Sequence, residues 1–176
     1  MTGRSAASCA NHQRATIPHS PIFVYDGGVA APVFHRQEQH PASHRYAILE
    51  DNGTTLWLYL TEPDNPTVVA QTWIFSHRPP IESHEWPLFN DRPAPLVPPE
   101  ELATVEIHLD RADAHAWRFD WSSDGEAVAV VCDARPIALV HASHKIGFSR
   151  NVIRAGPWGV PWSERTFHEL FGMEAE

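Results

Sequence analysis

The spacing of apolar and polar residues along the chain predicts β-strands in two regions that share one layout. In residues 45–76 and again in 117–149, a first strand leads through a glycine turn into an apolar second strand, and an acidic, proline-bearing break precedes the third. The landmarks that recur at nearly constant spacing are the turn glycines Gly53 and Gly125, the prolines Pro66 and Pro136, and the terminal pairs Phe75-Ser76 and Phe148-Ser149. The pattern predicts two related three-stranded meanders that superpose.

The second strand of the first region is apolar on both of its faces. Leu56, Leu58 and Leu60 point to one side, and Trp57 and Tyr59 point to the other, because successive side chains of a strand alternate. Such a pattern is typical of a strand at the centre of a sheet that is covered on both sides. We therefore expect this strand to be central.

Shorter elements flank the two regions. Residues 22–25 and 104–109 have the pattern of strands, whereas 35–44 is polar and interrupted by Pro41, which predicts a loop. Seven prolines between Pro79 and Pro99 exclude a long helix or a central strand there. This segment is either a linker between the repeats or a long ordered surface loop.

The last apolar residues predict a short helix. Ser163 is a suitable N-cap, and Gly172 suits the end of a helix that carries Phe167, Leu170 and Phe171 on one face. The predicted fold is mainly β: an antiparallel sandwich or a strongly bent sheet built from two related three-stranded meanders, with a short C-terminal helix.

Domain organisation follows from the same patterns and from composition. Residues 1–18 are small and polar without periodicity, which predicts a disordered tail, and 19–176 forms a single β domain. An apolar fraction of 43% in 176 residues is enough for a folded core. The sequence has no apolar run of membrane-spanning length and no secretory signal, so we expect a cytoplasmic protein that contacts no membrane.

The net charge of −9 bears on the class of partner. Nucleic-acid binding depends on the neutralisation of phosphates by cations, so this charge argues against a nucleic-acid partner. A basic protein fits the charge better. Two cysteines, Cys9 and Cys132, provide no disulfide framework.

A resemblance to a known family rests on short motifs. They are Trp121-Ser122-Ser123-Asp124-Gly125, Pro136, and Gly147-Phe148-Ser149-Arg150-Asn151, with 23–26 and 49–53 towards the N-terminus. These segments resemble an uncharacterised bacterial family, a domain of unknown function with a Trp-Ser-x-Asp-Gly hairpin turn. The resemblance implies a similar fold and carries no activity, cofactor or site residues.

Twelve histidines raise the question of a metal site. His141 and His144 lie three apart, so on a strand they face opposite sides and converge only if a turn or bulge intervenes. The sequence has neither cysteine pairs nor a His-Glu-x-x-His helix. We assign no metal ligands and no cofactor, and we predict that folding requires no metal.

Catalytic candidates are few. Ser143 lies between His141 and His144, but no Gly-x-Ser-x-Gly elbow is present. Glu106 and Asp120 project from outward strand faces and form either a catalytic pair, a partner-binding face or a solvated patch. We assign no catalytic residue.

The leading hypothesis is a non-enzymatic, cytoplasmic protein-binding module, such as an inhibitor or immunity-type protein for a basic partner. In it, Trp86 anchors a rigid acidic loop at 82–91, while Trp158 and Trp162 either anchor an interface or pin their loop to the core. Arg150 either holds a carboxylate or fastens the C-terminal loop. The proposed partner-binding residues are Glu82, Glu85, Trp86, Asp91, Glu106, His108 and Arg150.

Two other classes stay open. One is a small-molecule or metal-binding enzyme that uses histidine and carboxylate side chains. The other is an oligomeric structural protein without a ligand, and the oligomeric state itself, a homodimer included, is not determined by the sequence.

Overall fold

The computed structural model describes residues 34–77, 80, 97–104 and 112–172. The predicted tail at 1–18, the strand at 22–25, most of the proline-rich segment 79–99 and most of the strand at 104–109 lie outside these residues. Within the described part of the chain, no helix is long and apolar enough to cross a membrane.

In the described residues, nine strands form two sheets. The first sheet is antiparallel with the order β1-β2-β3-β4, and its strands are β1 Phe34–Gln39, β2 Tyr46–Asp51, β3 Thr55–Thr61 and β4 Val68–Ser76. The second sheet has the order β5-β6-β7-β8-β9, and its strands are β5 Trp117–Trp121, β6 Ala127–Cys132, β7 Arg135–His141, β8 Phe148–Ser149 and β9 Val160–Pro161. Only the β8–β9 pairing is parallel among these ladders. A 3₁₀ turn, Ala112–Ala114, precedes β5, and the helix α1 Glu164–Phe171 follows β9.

The predicted mainly β fold is confirmed, and each sheet contains a three-stranded meander. The meanders are β2-β3-β4 and β5-β6-β7. Gly53 (φ 85°) and Gly125 (φ 69°) occupy the first hairpin of each, as predicted. The terminal Phe-Ser pairs are not equivalent, however. Phe75-Ser76 ends β4, whereas Phe148-Ser149 is the separate strand β8, because the chain turns at 142–147 before it pairs with β7.

β3 is central, as the sequence predicted. It pairs with β2 on one side and β4 on the other, and all seven of its residues are buried. Full burial of a leucine contributes about 1.5–3 kcal/mol. The burial of Leu56, Leu58 and Leu60 on one face and of Trp57 and Tyr59 on the other therefore stabilises both sides of the first sheet.

The two sheets share one hydrophobic core. Residues of both sheets belong to it, among them Leu58 and Ile74 from the first and Val128 and Val140 from the second. Backbone hydrogen bonds join the sheets at one edge. The Gln71 amide in β4 donates to the carbonyl of residue 145 (3.1 Å), and the amide of residue 147 donates back to the Gln71 carbonyl (2.8 Å).

β1 contradicts the predicted loop at 35–44. All of its residues after Phe34 are exposed, so its sequence carries no apolar alternation. β1 pairs with β2 over its whole length, and this pairing provides hydrogen-bond partners for the backbone groups on one side of β1. Side chains tie it to β5, since Arg36 donates to the Trp117 carbonyl and Trp121 Nε1 donates to Glu38 Oε1 (3.0 Å).

The C-terminal helix is confirmed with its caps. Ser163 Oγ accepts a hydrogen bond from the Thr166 amide (3.1 Å), and Gly172 ends the helix in the left-handed region at φ 64°. Phe167 packs on Ala129 and Leu139, which face away from the core between the sheets. The helix thus covers the outer face of the second sheet.

Candidate functional site

Arg150 is the one predicted partner-binding residue in the described part of the chain. The remaining six lie outside the described residues: Glu82, Glu85, Trp86, Asp91, Glu106 and His108. A partner-binding role for the loop at 82–91 therefore stays a prediction.

The Arg150 side chain contacts neighbouring parts of the chain. Its Nε donates to the Pro136 carbonyl (2.6 Å), its Nη2 donates to Glu164, and its guanidinium lies over the Trp162 ring, 4.3 Å from the centroid. Glu164 is the first residue of α1. These contacts correspond to the alternative in which Arg150 fastens the C-terminal segment to β7.

Four connections between strands gather at one end of the molecule, which we call the acidic loop end: residues 40–45, 62–67, 122–126 and 142–147. Each connection is bonded to another. The Asp64 amide donates to the His44 carbonyl (3.0 Å), and the Ser43 hydroxyl donates to the Gly125 carbonyl (3.1 Å). The amide of residue 142 donates to the Glu126 carbonyl (2.8 Å), so the four loops form one continuous surface.

Arg45 is the main electrostatic link within this surface. Its Nε and Nη2 donate to the two carboxylate oxygens of Glu126 (3.1 and 2.9 Å), and its Nη1 donates to the Thr61 carbonyl (3.0 Å). Only 13% of the Arg45 side chain is exposed. Because Glu126 neutralises this cation, Arg45 does not offset the other carboxylates of the loop end.

Gly125 allows two of the loops to meet. It has φ +69°, and a Cβ at this position would overlap the His40 ring and the Ser43 hydroxyl. The His40 ring packs against Trp121 at 5.2 Å between centroids. Glycine is therefore required here both for the backbone conformation and for the close approach.

Exposed carboxylates give the loop end its negative charge. Glu62, Asp64 and Asp124 are exposed, and Lys145 is an exposed cation within the same loop end. Hydrogen bonds from the Ser122 hydroxyl (2.6 Å) and the Glu126 amide (3.0 Å) hold the pKa of Asp124 below its ordinary value. Asp124 is therefore ionised at neutral pH.

A second cluster of this surface joins His141, Ser143 and His144. The amide of His144 donates to the His141 carbonyl (2.9 Å), so a turn intervenes and the two rings converge at 5.5 Å. Ser143 Oγ lies 2.8 Å from His141 Nδ1 and 3.0 Å from His144 Nδ1. Among the described residues, no carboxylate hydrogen-bonds to either ring, so the group that would orient a catalytic histidine is not found there.

The opposite end of the sheets carries two His–Asp pairs on either side of an aromatic pair. His77 Nε2 lies 2.7 Å from an oxygen of the buried Asp51. The Phe75 ring packs edge-on against His77 (5.4 Å) and stacks with Trp117 (6.5 Å). Trp117 in turn contacts His115 (6.3 Å).

His115 forms the second pair with Asp133, and Cys132 adjoins them. His115 Nδ1 lies 2.7 Å from Asp133 Oδ2, and Cys132 Sγ lies 3.8 Å from the same oxygen. The hydrogen bond with His115 is the main reason that the pKa of Asp133 is lowered. Burial, and then the negative charge of Asp133, raise the pKa of the Cys132 thiol to about 11.

No family model, curated protein or solved structure matches this chain. The resemblance to a bacterial family therefore stays a prediction. The motif that carried it, Trp121-Ser122-Ser123-Asp124-Gly125, forms the end of β5 and the turn into β6. Function must be inferred from the geometry of the two ends of the molecule.

Sequence reasoning missed both three-dimensional clusters. The acidic loop end draws residues from four separate turns, and no local motif links them. His115 and Cys132 lie 17 positions apart and meet only through the β5–β6 pairing, in which Trp117 opposes Cys132. The order of strands and turns is the signal in the sequence that could have indicated these clusters. In an antiparallel sheet this order determines which turns lie at the same end of the molecule.

Proposed function

We propose that the protein is a non-enzymatic, cytoplasmic binding protein that holds a basic protein partner on its acidic loop end. The observation that carries the proposal is the gathering of Glu62, Asp64 and Asp124 on one hydrogen-bonded surface, where the half-buried Arg45 is already neutralised by Glu126. Charge complementarity of this kind steers association and selects the partner.

The rigidity of the loop end supports the same function. Hydrogen bonds connect all four of its loops, and Gly125 fits directly against His40 and Ser43. A surface ordered before contact loses less conformational entropy on binding. Loops held at the end of a sandwich are a common place for recognition. The cytoplasmic setting is supported by the free thiol of Cys132, which suits a reducing compartment.

Charge-neutral variants test the proposal. Glu62→Gln with Asp64→Asn removes two charges from the loop end and keeps side-chain size. Glu100→Gln with Glu169→Gln removes two charges from exposed positions outside it. Calorimetric titration with an oligolysine peptide at low and high salt gives the affinity of each protein.

The expected result is a loss of roughly fivefold in affinity for the loop-end variant and little change for the control, with weaker binding at high salt. Equal losses in the two variants would show that only net charge matters. Photo-crosslinking from a residue placed at Asn65 then captures the natural partner, which must be basic and must be lost when Asp64→Asn is added.

The alternative is an enzyme, and one observation at the histidine side chains of the loop end favours it. Ser143 lies within hydrogen-bonding distance of two imidazole nitrogens, as a serine beside a general base would. A fluorophosphonate that modifies activated serines tests this function. Labelling of the wild type that disappears in Ser143→Ala would favour the enzyme, and absence of labelling would favour the binding protein.

A further inference from the structure

The end of the molecule opposite the acidic loop end brings a nitrogen, a sulfur and an oxygen donor together. One ligand atom from each of His115, Cys132 and Asp133 lies within 4.8 Å of the other two. The shortest of these separations is the 2.7 Å contact between His115 Nδ1 and Asp133 Oδ2. Within the part of the chain that the structure describes, this is the one group of three such donor atoms.

Backbone pairing holds the three residues in place. The Asp133 amide donates to the carbonyl of residue 116 (3.0 Å), and the amide of residue 116 donates back to Asp133 Oδ1 (3.0 Å). Asp133 (φ 47°) and Ala134 (φ 70°) form the tight turn between β6 and β7. One carboxylate oxygen is thus fixed by the backbone, while the other faces His115 and Cys132.

We propose that His115, Cys132 and Asp133 form a binding site for a zinc ion. Zinc takes imidazole nitrogen, thiolate sulfur and carboxylate oxygen in tetrahedral geometry, and with three protein ligands the fourth position holds water. Tetrahedral coordination places such ligand atoms about 3.3–3.6 Å apart. The 2.7 Å contact between His115 Nδ1 and Asp133 Oδ2 must therefore open by roughly 0.6 Å when zinc binds.

The chemistry of the three donors favours zinc over harder cations. Magnesium and calcium prefer oxygen ligands, whereas a thiolate and an imidazole suit zinc. Zinc must displace the proton of the Cys132 thiol, and the carboxylate of Asp133 contributes the second negative charge that balances the ion. The hydrogen bond from the amide of residue 116 to Asp133 supports the ligand from outside, as is usual in metal sites.

The site lies at the surface of the molecule, beside the turn between β6 and β7. Asp133 has 57% of its side chain exposed and His115 has 26%. This inference goes beyond the sequence-based expectation, which assigned no metal ligands, and it is independent of the proposed binding of a basic partner at the other end. The competing interpretation is a simple His–Asp hydrogen bond in which Cys132 takes no part.

Cobalt(II) and zinc distinguish the two interpretations. Cobalt bound to a thiolate gives a charge-transfer absorption, and added zinc displaces it. The full-length chain is compared with Cys132→Ser, which removes the thiolate, and with Cys9→Ser, which removes the other cysteine and serves as the matched control. Circular dichroism verifies that each variant is folded.

The expected result is one zinc per chain in the wild type and in Cys9→Ser, with the cobalt–thiolate band present in both. Cys132→Ser should lose the band and weaken zinc binding at least tenfold. His115→Ala and Asp133→Asn should each weaken it as well, and they decide the case if Cys132→Ser does not fold. Absence of the band in the wild type, or equal zinc affinity in the wild type and these three variants, would overturn the proposal.

Discussion

Arg45 and Glu126 are 81 residues apart in the chain and form a two-point hydrogen bond, with Nε and Nη2 of the arginine 3.1 and 2.9 Å from the two carboxylate oxygens. Arg45 directly precedes β2 in the first sheet, and Glu126 directly precedes β6 in the second. The pair therefore connects the two sheets at the acidic loop end. Its geometry matches the planar fork of a guanidinium, which an ammonium group cannot reproduce.

A double-mutant cycle on this pair should show a coupling of about 1 kcal/mol in the free energy of unfolding. The value is modest because Glu126 has 39% of its side chain exposed to solvent. Arg45→Lys should lose most of this coupling free energy, because lysine keeps the positive charge but lacks the planar guanidinium that bonds both carboxylate oxygens. Denaturant unfolding of wild type, Arg45→Ala, Glu126→Gln and the double variant measures it, and additive effects would show that the pair is not coupled.

The turn between β5 and β6 should respond to pH through Asp124. Hydrogen bonding from Ser122 is the main reason that the pKa of Asp124 is lowered in the folded state. The stability that this carboxylate contributes is present above its unfolded pKa and is lost as pH falls through the lower folded value. Ser122→Ala should move the pKa of Asp124 up, towards its ordinary value. A carboxyl-carbon NMR titration measures the shift, and an unchanged pKa would contradict the assigned cause.

A substitution in the turn between β6 and β7 should increase the stability of the protein. Ala134 has φ 70°, a left-handed conformation that costs a residue with a Cβ about 1–2 kcal/mol. Glycine removes this cost but gives the unfolded chain more freedom, so Ala134→Gly should stabilise the protein by about 0.5–1 kcal/mol. Gly125→Ala is the opposite control, because a Cβ there overlaps His40 and Ser43. Thermal unfolding should show a higher midpoint for the first variant and a lower midpoint for the second.

The sequence was sufficient to predict elements in which local pattern and final environment agree. β3 is apolar on both faces and is buried on both faces. The helix begins after Ser163 and ends before Gly172. Each of these two residues provides a hydrogen-bond partner for a free backbone group at its own end of the helix. In both cases the information lies within a few neighbouring residues.

Elements that depend on distant contacts were not predictable in this way. β1 has an exposed, polar sequence and is held by pairing with β2 and by contacts from Arg36 and Glu38 to β5. The second Phe-Ser pair has the spacing of a repeat but belongs to the extra strand β8. The two candidate sites likewise depend on which turns share an end, and this is decided by the packing of the two sheets.

Trp158 provides a final test, because the sequence around it left two structural roles open. In a proline-flanked loop it could anchor an interface or pin the loop to the core, and the structure leaves it only 1% exposed. Its carbonyl accepts hydrogen bonds from the Trp73 amide (2.6 Å) and from Thr72 Oγ1 (3.3 Å). The loop therefore also provides a hydrogen-bond acceptor for these two donors at the edge of β4. Removing the indole leaves a large cavity beside that edge.

Trp158→Ala should therefore destabilise the protein by about 3–5 kcal/mol, the cost typical of deleting a buried aromatic side chain. Trp121→Ala is a suitable comparison, since Trp121 is only half-buried and should cost less. Denaturant unfolding gives both values. A loss below about 1 kcal/mol for Trp158→Ala would mean that the loop is not held by this residue, whereas the expected loss assigns Trp158 to the core.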